Sequence, residues 1–366
     1  MPLSLPQSPT PITIAIIGTG LIGPRHVSAV QCSPNATLLC IVDPSPSSQT
    51  VAANFSIPRY ASIKSMLSSS PTVPEAAIVC TPNHTHVAVS KELLSAGIHV
   101  LVEKPISTDV TSGRSLVQHA ATCHRHLLVG HHRRFNKYIV LTKQILNSAS
   151  PSVNLGRIIA ISGLWTLYKP PSYFDPPTDW RRERTSGGPV LINLIHDIDV
   201  LHHLFGPIVR VHAEKTISQR GHPAEEGAAV LLKFASGVVG TFLLCDAVPS
   251  PHNFEAGTGE NPMIPFVGRD FYRVFGTEAS LSVPEMRRTG YGGGEKSWNL
   301  PLSEEILGVE EMAAPFELQV EHFVRVIRGE VEPSCSGTEG LRAVVVCEAV
   351  RKAIESGEPV DIGEKL

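Results

Sequence analysis

The sequence predicts a doubly wound, parallel α/β domain followed by an α+β domain built on a mostly antiparallel sheet. Three observations carry this prediction. Short apolar, β-branched runs alternate with helically spaced segments up to about residue 130; a glycine-rich turn directly follows the first run; and near Gly156 the texture changes to longer strands with in–out alternation. A length of 366 residues suits two domains better than one. With 42% hydrophobic and 18% charged residues the chain is globular with ample core, and a net charge of −3 gives no footprint for nucleic acid or a membrane surface. No run reaches the roughly 18 apolar residues of a membrane helix. The seven cysteines are scattered and contain no C-x-x-C pair, which reads as reduced thiols in a cytoplasmic protein. Residues 1–11 have neither a basic start nor a continuous apolar stretch, and fit a disordered leader better than a secretory signal.

In the first domain, strands are expected at 12–17, 38–42, 76–80, 98–102 and 126–130, and their continuous apolar character implies a sheet covered on both faces. Helices are expected between them, at 24–32, 47–54, 61–68, 85–96 and 109–123, several entered through Ser, Thr or Asp caps. Beyond Gly156, the run GRIIAISGLWTL and the segments 208–217, 227–235 and 237–246 alternate as antiparallel neighbours do. Residues 249–268, rich in Gly, Pro and Asn, and 290–295 read as loops, and 339–356 has helical spacing.

Three motifs carry chemistry. Gly18-Thr19-Gly20-Leu21-Ile22-Gly23 lies between a strand and a helix, where its glycines allow a tight turn and close approach of a pyrophosphate to the helix N-terminus. Asp43, at the end of the second strand and twenty positions beyond Gly23, is placed to hydrogen-bond ribose hydroxyls. Together they predict a Rossmann domain that binds NAD. NADP is left open by Ser45 and Ser47, whose hydroxyls are able to take a phosphate. Thr81-Pro82-Asn83-His84-Thr85-His86 follows a strand at the carboxyl edge of the sheet, where ligands bind; Thr81 and Asn83 are expected at ribose or nicotinamide, with a turn residue and a helix cap as the alternative for Asn83 and Thr85. Glu103-Lys104-Pro105 occupies the same edge, where a lysine can stabilise an alkoxide or exchange a proton. The cofactor-binding residues expected are Gly18, Gly20, Leu21, Ile22, Gly23, Asp43, Thr81, Pro82, Asn83, His86, Glu103 and Lys104. No metal site is expected, because His84 and His86 lack a carboxylate at suitable spacing.

These motifs, with Gly130-His131-His132-Arg133-Arg134-Phe135-Asn136, Asp179-Trp180-Arg181, Gly187-Gly188, the segment Ile192–Asp199 and Phe275-Gly276-Thr277-Glu278, resemble the Gfo/Idh/MocA family of oxidoreductases over nearly the whole chain. The resemblance implies a Rossmann domain over 12–131 and, over 132–366, an α+β domain with a large open sheet for substrate binding and oligomerisation. It also implies a homodimer or homotetramer and a polyol or ketone substrate whose carbinol or carbonyl carbon exchanges hydride with the cofactor. Lys104 corresponds to the family's E-K-P lysine and His196 to its histidine after the double glycine; these are the expected catalytic pair.

The family's Asp-x-x-x-His pattern is broken, since Ile192 stands four positions before His196 with Asn193 beside it. Asn193 does not ionise, so an Asp–His relay of that form is absent. Asp197, the next residue, does not share the face of His196 at helical spacing. Asn193, Arg134, Arg181 and Trp165 are the expected substrate contacts, the arginines as clamps for an acidic group and the tryptophan as a sugar-stacking surface. Two further functions are compatible with the same residues: a redox-driven glycosidase, and a dinucleotide-sensing regulator.

Overall fold

Where the apolar runs were expected to pair, six parallel strands do so in a computed structural model that describes residues 10–363. Residues 1–9 of the expected leader lie outside the described residues. The strands are β1 (Ile12–Ile17), β2 (Ala36–Val42), β3 (Arg59–Tyr60), β4 (Ala76–Val79), β5 (His99–Val102) and β6 (Leu127–Val129), in the order β3-β2-β1-β4-β5-β6. Helices α1 (Gly23–Cys32), α2 (Ser48–Asn54), α3 (Ile63–Ser69), α4 (His86–Ser95) and α5 (Val110–Thr122) form the crossovers. Ser62 and Asp109 cap α3 and α5 by accepting from the backbone N–H of Ser65 and Ser112. The order reverses between β1 and β4, so the glycine turn after β1 sits at the topological switch point.

The remaining helices are α6 (Lys137–Asn147), α7 (Ile195–Phe205), α8 (Phe254–Thr258), α9 (Pro315–Ile327) and α10 (Gly337–Ser356). The chain divides into two compact units, residues 1–135 with 313–341, and 136–312 with 342–366. Segment 313–341 is therefore not contiguous in sequence with the unit it completes. Its helix α9 lays Phe316, Val320, Phe323 and Val324 into the apolar cluster of Ile12, Val27, Val30 and Ile41, and Glu321 accepts from Asn35 Nδ2 at 2.9 Å. After α9 the chain bridges the free edge of β6, pairing Ser336 with Leu128.

The second unit is a nine-stranded sheet: β7 (Ile158–Thr166), β8 (Ile208–Lys215), β9 (Gly227–Phe234), β10 (Val239–Cys245), β11 (Tyr272–Gly276), β12 (Ala279–Val283), β13 (Arg287–Gly290), β14 (Ser303–Ile306) and β15 (Val360–Asp361). The order is β14-β13-β12-β11-β7-β10-β9-β8-β15. Every pairing is antiparallel except that of β10 with β7. In β9 and β10 alternate residues are buried, and α7 packs on the buried face, with Phe205 against Phe234 at 5.8 Å between ring centroids. The expected loop 249–268 contains α8, because Asn253 caps a helical turn by accepting from Ala256 N–H at 2.8 Å.

Candidate active site

Three glycines make the turn after β1, for different reasons. Gly18 has φ +93°, and a Cβ there would lie 2.9 Å from the Cys80 backbone; a Cβ on Gly23 would lie 2.5 Å from the Gly18 carbonyl oxygen. Both are required by the fold itself. Gly20 has no positive φ, and a Cβ there would meet nothing within 4 Å. Its glycine serves no contact within the protein, which fits a position where a ligand approaches the backbone. No side chain caps α1, so its first N–H groups have no side-chain acceptor, as an anion site requires. Leu21 is 90% exposed on this turn, and Ile22 packs its side chain against the core.

Asp43 ends β2 and reaches back to the glycine turn: one oxygen accepts from Thr19 N and Oγ1 at 2.7 and 2.8 Å, the other from Ser45 N at 2.7 Å. The carboxylate is thus fixed beside the turn, where ribose hydroxyls would find it. The sequence reading missed Arg59 on β3, whose guanidinium donates to the carbonyls of Asp43 and Ser45 and to Ser48 Oγ, bracing the same loop.

At the carboxyl edges of β4 and β5 the two further motifs are tied together. His86 is fully buried, and its ring nitrogens face the carbonyls of Pro105 and Thr81 at 2.7 and 2.8 Å. It therefore joins the two loops, and its ring, expected as a direct cofactor contact, is turned to their carbonyls instead. Thr85 Oγ1 donates to Thr81 Oγ1, while Pro82 and Asn83 remain exposed. Glu103 is buried too, with His26 Nε2 at 2.7 Å and the Lys104 backbone N–H donating at 3.1 Å. Its carboxylate, expected at the cofactor, is turned to His26 and to the Lys104 backbone and is not exposed.

Burial opposes the charge on Glu103, but His26, His132 and Lys104 outweigh it and hold the carboxyl at about 2, against an ordinary 4.5. A carboxyl depressed in the folded state stabilises above its unfolded pKa, and that contribution disappears as pH falls from about 4.5 toward 2. The difference is worth about 3 kcal/mol. Thermal melts of wild type should therefore fall toward those of Glu103→Gln as pH drops through this window. Wild-type and variant curves that stay parallel would refute the assignment.

In the second unit, the double glycine leads into a π-helical turn at Val190–Leu194 that continues as α7. Such turns shift side chains out of helical register and concentrate at functional sites. Asn193 lies within this turn and His196, 8% exposed, is the second residue of α7. Asp197 accepts from Tyr272 Oη on β11 at 2.5 Å and so pins α7 to the sheet.

Lys169, which the sequence reading passed over, is buried just beyond β7. Its Nζ donates to Asn193 Oδ1 at 2.7 Å, lies 3.3 Å from Asp246 Oδ2, and sits over the rings of Trp165 and Tyr173. Trp165 is 1% exposed and donates its indole N–H to Glu255 at 2.9 Å. It supports Lys169 from below and offers no open face for a sugar, contrary to expectation. Arg181 is half-buried, with its guanidinium 3.8 Å from the centre of the Tyr173 ring. Arg134, expected at substrate, is 3% exposed in the first unit, where it donates to the carbonyl of Ser334 and to Glu339. It secures the returning segment.

Residues 12–131 match the oxidoreductase family described as having an NAD-binding Rossmann fold, and 152–362 match the C-terminal alpha/beta domain of the same family. The chain belongs to the Gfo/Idh/MocA oxidoreductase family. It is 22% identical to inositol 2-dehydrogenase of Rhizobium meliloti over 96% of this chain and 99% of that protein. It is 27% identical to 1,5-anhydro-D-fructose reductase of Ensifer adhaerens over 79% and 80% of the two chains. Its fold superposes on the WlbA dehydrogenase from Bordetella pertussis, solved with NADH and UDP-GlcNAcA, with a TM-score of 0.75, 22% identity and coverage of 97% and 100%. This Gfo/Idh/MocA member is therefore an NAD-binding oxidoreductase, and the glycine turn with Asp43 fits that cofactor. Among the described residues, no helix is long and apolar enough to cross a membrane.

Proposed function

We propose that the protein is an NAD(H)-dependent dehydrogenase or reductase acting on a carbinol or carbonyl carbon of a sugar, cyclitol or similar small polyol. The observation that carries this reading lies in the first unit: a dinucleotide turn whose middle glycine has no steric need of its own, together with Lys104, whose backbone is fixed by buried Glu103 at the end of β5. The relatives named inositol 2-dehydrogenase and 1,5-anhydro-D-fructose reductase support the substrate class. When bound, NAD supplies the ring that exchanges hydride. The chain's own residues do the rest. The N–H groups of the 18–23 turn and α1 hold pyrophosphate, Asp43 holds ribose hydroxyls, Lys104 orients the reacting oxygen and stabilises its charge, and His196 transfers the proton.

The test is NADH formation or consumption with a panel of polyols, cyclitols and their ketones. Turnover of at least one secondary alcohol or its ketone is the expected result. Dinucleotide binding without turnover would instead favour a sensing role, and release of free sugar without net NADH would favour a redox-driven glycosidase.

We also propose that a second copy of the chain covers the open face of the nine-stranded sheet. Leu231, Val239, Leu243 and Phe275 project from that face and are each 41–54% exposed. Adjacent exposed apolar residues of this size mark an interaction surface. Light scattering should show a dimer or tetramer that Leu243→Lys converts to monomer without change in circular dichroism. A monomeric wild type would end this reading.

A further inference from the structure

We infer that the second unit holds a seat for a carboxylate of the substrate, made by Lys169, Arg181 and the amide of Asn193, and that Lys169 selects acidic sugars or cyclitols over neutral ones. The inference rests on the dehydrogenase reading above and adds the substrate's charge to it.

The seat is built from donors. Lys169 carries three N–H groups: one is given to Asn193 Oδ1 and one points toward Asp246, which leaves a third. Because Asn193 Oδ1 accepts from Lys169, its amide NH2 is left as a second donor. Arg181 is the third. Its Nη1 donates to the Tyr173 carbonyl at 3.0 Å, and no carboxylate among the described residues forms a salt bridge with it. Lys169, Arg181 and Ile192 line one narrow opening, which they share with Tyr173, Arg220 and Asp246.

The neighbouring acceptors are already engaged. Asp246 accepts from Arg220 at 2.6 Å on one oxygen and faces Lys169 with the other. Glu226 accepts from Ser218 Oγ and from the backbone N–H groups of Gln219 and Arg220. Glu225 accepts from Val190 N–H and faces Arg351. Glu255 accepts from Trp165. A ligand group that enters here therefore meets donors, and an acceptor is what they fit.

Charge points the same way. Lys169 and Arg181 both pack on the ring of Tyr173, at 4.6 and 3.8 Å from its centre. Two cations on one ring repel, and burial, helped by Arg181 and only partly offset by Asp246 and Glu255, brings the Lys169 ammonium down to about 8. An anion between them relieves both effects. With an aspartate at Ile192 the site would carry a second anion beside Asp246; with isoleucine that place is left to the ligand. Asn193 lies one helical turn before His196, so the seat anchors one end of the substrate near the proton-transfer group.

The test uses the full chain with NADH bound, and calorimetric titration with matched pairs: glucuronate against glucose, galacturonate against galactose, gluconate against sorbitol. Turnover is not needed for this readout. At least one acid is expected to bind ten-fold or more tightly than its neutral partner. Lys169→Met and Arg181→Met should each erase that preference, Arg181→Lys should keep most of it, and Arg184→Met, at an exposed arginine, should not alter it. If no acid outbinds its partner, or if both methionine variants keep the preference while remaining folded by circular dichroism, the seat is refuted. Oxidation of neutral polyols with no preference for acids refutes the seat and leaves the dehydrogenase reading intact. An acid preference without turnover of any substrate refutes the dehydrogenase reading and leaves the seat.

Discussion

Replacing Lys104 or His196 by alanine is expected to lower kcat by about 10² to 10⁴ with NAD affinity close to that of wild type. Lys104 follows directly on β5 and is held there by a buried carboxylate that accepts from its backbone. His196 opens α7 just after a π-helical turn that presents Asn193. In the proposed reaction each group acts on the transition state, one on the negative charge of the reacting oxygen and the other on the proton. Losing either should therefore lower kcat and kcat/KM together. The double variant should fall no further than the worse single one, because groups that act as a unit are not additive. Steady-state kinetics on an active polyol, with the NAD dissociation constant measured separately, decides the matter. Near-normal kcat in His196→Ala would move the proton to another group and would make the isoleucine at 192 the mark of a different mechanism.

Gly20→Val is expected to abolish dinucleotide binding while the protein keeps its fold and melting temperature. The argument is a contrast within one turn. At Gly18 and Gly23 a side chain would strike backbone atoms at 2.9 and 2.5 Å, so substitution there should damage the fold. At Gly20 no protein atom lies within 4 Å of a new Cβ and the backbone angle is ordinary, so the only thing displaced is a ligand. Fluorescence titration with NADH and a thermal melt on the same sample separate the two effects. A valine variant that still binds NADH would remove the main support for this turn as the pyrophosphate site.

Much of the first unit was legible because its signals are local. Each expected strand from Ile12 to Val129 overlaps an observed one, and Gly18–Gly23, Asp43 and Lys104 stand at the sheet's carboxyl edge as their spacing required. What escaped was set by distant partners. Strand β3 is two residues long and is defined only by its pairing with β2. Helix α9 carries a readable pattern, Phe316, Val320, Phe323 and Val324 after Pro315, but nothing local says that it docks on the first domain. Lys169 lies just past a strand, where lysines are normally solvated; the nearby Trp165 and Tyr173 cover it only because Asp246, distant in sequence, draws its ammonium inward. Trp165 and Arg134 were misread for the reverse reason. Both residue types serve binding sites, and each is consumed here by a neighbour, Glu255 for one and Glu339 for the other.

The return of 313–341 to the first unit also sets an order of events during synthesis. Asn35 and Glu321, which hydrogen-bond in the finished unit, are 286 positions apart. When residue 135 leaves the ribosome, the seam around Ile12, Val27 and Ile41 has no α9 to cover it and stays open while eight of the nine strands of the second sheet are translated. The unit that begins first is thus completed only after residues 136–312 of the other have been made, and its apolar seam needs shielding from aggregation for most of translation. A fragment cut at Phe135 would carry that open seam permanently.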